Sequence, residues 1–244
     1  MNETEKFALE VEENIQGLEK DKDVQALSRI WVREITRHKY AYNFSWMGRP
    51  IIQFPQDMVA MQEIIWNTKP DLIIETGIAH GGSLIYYASL MEMMGLEGYV
   101  LGIDIDIRSH NQAAIDAHPM RKRIQMIQGS SIAEETVAEV AKHTQGKKSI
   151  LVILDSNHTH EHVLQELQFY SPFVTKGSYL IVFDTLLEDM PDDLIKDRPW
   201  GTGNNPKTAV WEFMKTTDAF EIDKAIEAKL LITVAPDGYL KRVS

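Results

Sequence analysis

Nine residues, Glu75-Thr76-Gly77-Ile78-Ala79-His80-Gly81-Gly82-Ser83, constrain this chain more than any other stretch. They follow the apolar run Leu72-Ile73-Ile74 and precede an apolar segment of helical length, residues 84–94. A short apolar run that breaks into glycines and resumes at helical length reads as strand, turn and helix. Backbone N–H groups at such a helix start point outward, and glycines let a ligand approach the chain closely. The turn therefore suits a nucleotide-like cofactor.

The rest of the chain keeps the same rhythm. Strands are expected at 72–75, 99–104, 124–128, 150–154 and 178–183, with helices between them, for example at 132–143 and 161–169. Near-continuously apolar strands alternating with helices predict an α/β fold: a mostly parallel sheet covered on both faces. Residues 230–234 and 239–243, separated by Pro236-Asp237-Gly238, read as a C-terminal antiparallel hairpin. Residues 220–222 alternate and read as a further strand. Ahead of the sheet, residues 3–40 carry apolar positions at helical spacing, broken by the charged run Glu19-Lys20-Asp21-Lys22-Asp23. The expected organisation is an N-terminal helical extension over 1–45 and one domain over 46–244. Residues 40–55, rich in Tyr, Trp, Gly and Pro, read as an ordered loop.

Bulk properties remove several classes of function. A formal charge of −11 over 244 residues disfavours nucleic acid as a partner. No apolar run reaches the roughly 20 residues that span a bilayer, so no membrane role is expected. The chain has no cysteine, which excludes disulfides and thiolate metal sites and accords with a cytoplasmic location. The expected partner is a small molecule, with self-association through the helical extension.

In a parallel sheet, functional residues lie just past the C-terminal strand ends. Those positions are Glu75, Asp104, Gly129-Ser130, Asp155 and Asp184, four of them carboxylates. The turn spacing does not match the G-x-G-x-x-G of dinucleotide folds. Glu75 would repel a pyrophosphate but suits a cofactor carrying ammonium and sulfonium charge. These features favour S-adenosylmethionine over NAD, with Asp104 accepting from ribose hydroxyls.

Glu75-x-Gly77-x-x-x-Gly81-x-Ser83 resembles the first motif of metal-dependent, catechol-type O-methyltransferases. Lys69-Pro70-Asp71 leading into that turn is more closely similar to the cephalosporin hydroxylase/rhamnosyl O-methyltransferase family. So are Leu154-Asp155-Ser156-Asn157-His158, His162-Val163-x-x-Glu166-Leu167 and Asp184-Thr185. The resemblance spans roughly residues 46–243. It implies a Rossmann-like class I methyltransferase sheet and a sugar or another small specialised metabolite as hydroxyl acceptor. It also implies that Gly77 and Ser83 contact the methionine end of the cofactor, and that Ser130 or Ser131 lies near the adenine. Glu75, Gly81 and Asp155 complete the expected cofactor set.

Methyl transfer to an alcohol needs an aligned acceptor, a base, and stabilisation of the developing alkoxide, commonly by a divalent metal. Asp155 and Asp184 are hard oxygen donors suited to Mg²⁺. The resemblance makes His158 the catalytic base. Relatives often place an acid just before the later Asp, where this chain has Phe183. Catechol-type enzymes place Asn just after it, where this chain has Thr185. The third metal position is left to Thr185, a water or another residue. Three readings compete with this one. The run His158-Thr159-His160-Glu161-His162 suggests a dizinc hydrolase but is one residue short and lacks its Asp. A nicotinamide oxidoreductase is opposed by the glycine spacing. A non-catalytic cofactor-binding or assembly protein of the same fold is compatible with Phe183. The segment 186–206, containing Trp200, is long enough for a lid or substrate loop.

Overall fold

The computed structural model describes residues 1–244, the side chain of Asp192 excepted. The apolar runs become the strands of one seven-stranded sheet. These are β3 (Leu72–Thr76), β4 (Tyr99–Asp104), β5 (Ile124–Gln128), β6 (Ile150–Leu154), β7 (Tyr179–Val182), β8 (Phe220–Ile222) and β9 (Tyr239–Arg242). Their order across the sheet is β5-β4-β3-β6-β7-β9-β8. The first five in that row are parallel; β9 runs antiparallel to β7, and β8 antiparallel to β9. The chain moves outward from β3 through β4 to β5, then returns to lay β6 on the other side of β3. That reversal places a crevice at the C-terminal ends of β3 and β6.

Side-chain alternation along the strands feeds two cores. Ile73, Val100, Leu151 and Ile181 face one cluster, which includes residues of α3 (Pro55–Thr68) and α4 (Gly82–Met93). Leu72, Ile74, Leu101, Ile103 and Val152 face the other, built with α6 (Glu134–Thr144), α7 (His160–Tyr170) and α8 (Pro206–Phe213). Helix α4 shows why periodicity alone is a weak guide here. Residues from Leu84 to Met91 are buried all round, because sheet, α3 and an extra hairpin enclose it. Helix α5 (Ser109–Asp116) closes the β4–β5 crossover.

The N-terminal extension forms α1 (Glu3–Lys20) and α2 (Lys22–Thr36). Asp21 separates them, and its carboxylate accepts from the N–H groups of Asp23 and Val24 as the α2 cap. Val32 of α2 enters the core, whereas Leu27, Ile30 and Trp31 are exposed. No described helix is long and apolar enough to cross a membrane.

Two sequence expectations need correction. Residues 40–55, expected as an ordered loop, contain a hairpin of β1 (Phe44–Trp46) and β2 (Arg49–Ile51). Its turn uses Met47 and Gly48, both at positive φ (44° and 83°), as two-residue hairpin turns require. The C-terminal hairpin does not use residues 230–234. The partner of β9 is β8, with α9 (Lys224–Leu230) inserted between them. Residues 233–234 are unavailable for a strand because Asp57, at the start of α3, captures them. Its fully buried carboxylate accepts from the Thr233 hydroxyl, from the Val234 N–H at 2.9 Å and from the Tyr239 hydroxyl at 2.7 Å. Burial pushes the Asp57 carboxyl up to about 6 despite those three donors. Replacing Asp57 by Ala strands three buried donors at once and is expected to lower stability by about 2–4 kcal/mol. Urea unfolding measures this, and an unchanged midpoint would remove Asp57 as the anchor of the C-terminal segment.

Candidate active site

Of the strand-end residues singled out in the sequence, Asp104, Gly129, Ser130, Asp155 and Asp184 lie at or just past strand ends on one rim of the sheet, whereas Glu75 lies one residue inside β3. At the centre, β3 and β6 approach through backbone alone. The Asp155 N–H donates to the Thr76 carbonyl (2.9 Å), and a Cβ on Gly77 would sit 2.1 Å from the Asp155 carbonyl oxygen. Gly77 also has φ 89°, so it meets both a steric and a conformational demand for glycine. Gly81 serves packing instead: its φ is 79°, and a Cβ there would press on Ile115 of α5.

The turn is held from outside by residues that sequence reasoning missed. Arg49 of β2 donates to the His80 carbonyl and, at 2.9 Å, to Asn111 Oδ1; Asn111 Nδ2 donates to the Ala79 carbonyl at 2.8 Å. Ala79 itself sits at φ 45°, an unfavourable conformation that this clamp maintains. From inside, Asp104 Oδ2 accepts from Ile78 N–H (2.8 Å) and more weakly from Ala79 N–H (3.4 Å), while Oδ1 accepts from Asp106 N–H (3.0 Å). A lone Arg in a Trp-Gly-Pro segment and an Asn within a helix carry no motif, so only the fold reveals their task.

Glu75 lies inside β3 with no exposed surface, behind Ser83, whose hydroxyl donates to Oε2 at 2.7 Å. Its Oε1 has no hydrogen-bond partner among the described residues. Burial pushes this carboxyl up to about 8, against the pull of the Ser83 bond.

Asp155, His158 and Asp184 converge across the crevice. One donor atom from each lies within 4.8 Å of the others, and His158 Nε2 is 3.1 Å from Asp184 Oδ2. Lost solvation, then the nearby carboxylates of Asp184, Glu75 and Glu166, hold the Asp155 carboxyl well above the usual range. Asp184 reaches this position through a left-handed backbone at φ 56°. Phe183 is buried in the hydrophobic core and faces none of these groups. Thr185 does not join the cluster either. It is fully buried, and its hydroxyl donates to the Pro236 carbonyl at 2.6 Å, tying the chain after β7 to the C-terminal turn. The Trp200 ring packs edge-on against His158, with centroids 4.7 Å apart, and the Arg198 guanidinium lies over Trp200. His160 leaves the site: it bonds Thr208 at 2.8 Å and approaches Glu212, joining α7 to α8.

Three adjoining cavities share these walls. The first runs from Gln53 and the glycine turn to Asp155, His158 and Asp184. A second continues past Gly77 and Asp104 to Ser130, Ser131 and His162. The third, about 310 Å³, opens on the other side of His158 and Asp184. Its walls are largely apolar, from Phe54, Leu186, Met190 and Trp200, and the end of the helical extension supplies Tyr40 and Tyr42. Of the expected cofactor residues, Gly77, Ser83, Asp104, Asp155, Ser130 and Ser131 line the first two cavities, while Glu75 and Gly81 lie behind the wall.

The family model for rhamnosyl O-methyltransferase/CmcI matches residues 38–243. The chain belongs to this family. The rhamnosyl O-methyltransferase of Mycobacterium leprae (strain TN) is 33% identical over 214 residues, covering 84% of this chain and 88% of that protein. That of Mycobacterium tuberculosis (strain H37Rv) is 31% identical, covering 84% and 83%. A CmcI structure with Mg and SAM has a TM-score of 0.59 at 20% identity, covering 83% of this chain and 78% of that one. An O-methyltransferase from Bacillus cereus in complex with SAH has a TM-score of 0.52 at 11% identity, covering 82% of each chain. At those identities the two structures show a shared class I methyltransferase fold. The rhamnosyl O-methyltransferase/CmcI match begins before Tyr40, so it takes in the part of the extension that lines the third cavity.

The raised Asp155 carboxyl sets the pH behaviour of any cation bound here. Without a cation it holds its proton above the usual carboxylate range, and a cation must displace that proton. Divalent-cation affinity is therefore expected to rise with pH, by up to about tenfold per unit below the carboxyl's own pKa. Mg²⁺ titration calorimetry over a pH series that starts in the usual carboxylate range reads this directly, and an affinity flat across the whole series without proton release would contradict it.

Proposed function

We propose that this family member is an S-adenosylmethionine-dependent, Mg²⁺-dependent O-methyltransferase acting on a hydroxyl of a sugar or another small specialised metabolite. The observation that carries the reading is the position of the Asp155/His158/Asp184 cluster. It stands where a polar cavity under the glycine turn meets the largely apolar third cavity. The residues fit both groups that CmcI is seen with. Asp155 and Asp184 are hard oxygen donors beside an imidazole, as Mg²⁺ prefers. On the first cavity, Gly77 presents backbone with no Cβ and Asp104 a carboxylate that ribose hydroxyls can donate to, as a nucleoside-bearing cofactor needs.

When bound, S-adenosylmethionine supplies an electrophilic methyl group and Mg²⁺ a Lewis acid for the acceptor oxygen. The chain's own residues do the rest. Asp155 and Asp184 hold the metal. Ser83 and Gly77 shape the methionine end of the cavity, and Asp104 holds the ribose while bracing the turn. His158 takes the hydroxyl proton, with Asp184 fixing its ring through Nε2 and Trp200 shielding it from water. Tyr42 and Trp200 flank the acceptor. The exposed apolar residues Leu27, Ile30 and Trp31 support association of copies through the helical extension.

One observation favours a second role for His158: its ring nitrogen is close enough to both aspartates to be the third metal ligand. The two roles separate experimentally. As a base, His158→Ala is expected to lower kcat by about 10²–10⁴-fold with Mg²⁺ and S-adenosylhomocysteine affinities preserved. Loss of Mg²⁺ affinity in the same variant would make His158 a ligand instead.

The activity itself is tested in two steps. Calorimetry is expected to show S-adenosylhomocysteine binding. Methyl transfer to a panel of glycosides and phenols is then expected to be abolished by EDTA and restored by Mg²⁺. Binding without transfer to any acceptor would favour a non-catalytic cofactor-binding protein, and EDTA-resistant transfer would remove the metal.

A further inference from the structure

The Asp184 backbone is bent into the left-handed region, φ 56° and ψ 19°. A residue with a side chain adopts that conformation at a cost and keeps it only where its surroundings hold it. Hydrogen bonds on both sides do so here. Just before the bend, the Val182 N–H donates to the Gly238 carbonyl at 2.8 Å and the Phe183 N–H to the Leu154 carbonyl at 3.0 Å. Just after it, the Leu186 N–H donates to the Val234 carbonyl at 3.1 Å, and the Thr185 hydroxyl to the Pro236 carbonyl at 2.6 Å. The approach is tight: a Cβ on Gly238 would sit 2.1 Å from the Val182 carbonyl oxygen. Asp57 holds the same C-terminal segment from behind, through Thr233 and Val234.

The Thr185 bond differs from its neighbours in being made by a side chain, so it depends on which residue stands at 185. Thr185 has no exposed surface, and water cannot take over from its hydroxyl. The bond also sets how near the bend lies to the C-terminal turn. A carbon in place of the hydroxyl oxygen needs about 3.3 Å or more from a carbonyl oxygen. The bend would have to move away, and Asp184 with it. The Asp184 carboxylate has little slack, since its Oδ2 is 3.1 Å from His158 Nε2 and it converges with Asp155 within 4.8 Å. The same bend carries Leu186 and Leu187 onto the wall of the third cavity.

We propose that Thr185 is a positioning residue for Asp184: its hydroxyl bond to Pro236 locks the left-handed bend that aims the Asp184 carboxylate at Asp155 and His158, and so sets the affinity of the metal position. Thr185 touches neither metal nor substrate and acts only through Asp184. The inference rests on the reading of Asp184 as a metal residue and deepens it.

The test is calorimetry of Mg²⁺ and, separately, of S-adenosylhomocysteine on the native chain and on variants at 185, with folding checked by near-UV circular dichroism. Thr185→Val replaces the hydroxyl by a methyl group and is expected to lower Mg²⁺ affinity at least about tenfold. Its S-adenosylhomocysteine affinity is expected to stay within about twofold of native, because the glycine turn is braced by other residues. Thr185→Ser keeps the hydroxyl and is expected to restore most of the Mg²⁺ affinity. Thr185→Cys, a weaker donor, is expected to fall between the two, so it remains informative if the Val variant does not fold. Native Mg²⁺ affinity in the folded Val or Cys variant, an equal loss of both ligands, or a Ser variant as weak as the Val one overturns the assignment. Failure of the native chain to bind Mg²⁺ overturns the metal reading and this inference with it, so the two failures are distinguishable.

Discussion

The contact between the ends of β3 and β6 controls the rest of the site. Thr76 accepts from the Asp155 N–H, and Gly77 lies so close to the Asp155 carbonyl that no side chain fits between them. This contact brings a glycine turn and an acidic strand end, nearly 80 residues apart in sequence, onto one crevice. A bulkier residue at 77 would push β3 and β6 apart and so separate the turn from the Asp155 cluster. The clamp of Arg49 and Asn111 on one side of the turn and Asp104 on the other holds Ile78 to His80 in a strained path. The turn over the polar cavity is thus braced by protein groups on both sides.

That proximity has an electrostatic consequence. Burial first, then the carboxylates of Asp184, Glu75 and Glu166, raises the cost of ionising Asp155, and burial does the same for Glu75. A protein gains no stability from such an arrangement by itself. Positive charge brought beside Asp155 would offset that cost. The same logic separates the roles of the histidines. His158 stands on the acidic crevice, His160 has been drawn away to Thr208 and Glu212, and His162 faces the second cavity.

Much of the fold was legible because strands buried on both faces are apolar throughout and are bounded by Gly, Asp or Pro. The five parallel strands lie within a residue or so of where the pattern places them. The failures have local causes. Residues 230–234 look like a strand, but Asp57, far away in sequence, takes their hydrogen-bonding groups. The hairpin at residues 44–51 is two three-residue strands, too short for alternation to register. In the site, the strand-end carboxylates were legible because topology sends all strand ends to one rim. His158 was legible too, as a catalytic residue, but the third metal position was left to Thr185, a water or another residue. Of those alternatives Thr185 is turned toward Pro236, whereas His158, on the segment after β6 that also carries Asp155, lies beside both aspartates.

Sequence alone determined the alternating α/β architecture, the glycine turn, the set of acidic strand ends and the family, because each is written in residues close together along the chain. Tertiary structure alone decided which of those residues meet. It placed Glu75 and Gly81 behind the cavity wall, made Arg49 and Asn111 the clamp on the turn, packed Trp200 on His158 and put Tyr40 and Tyr42 on the same third cavity. It also put His162 on the second cavity and buried Glu166 behind it. The physical reason is that hydrogen bonds and packing contacts across the sheet rim join positions whose separation in sequence carries no local signal.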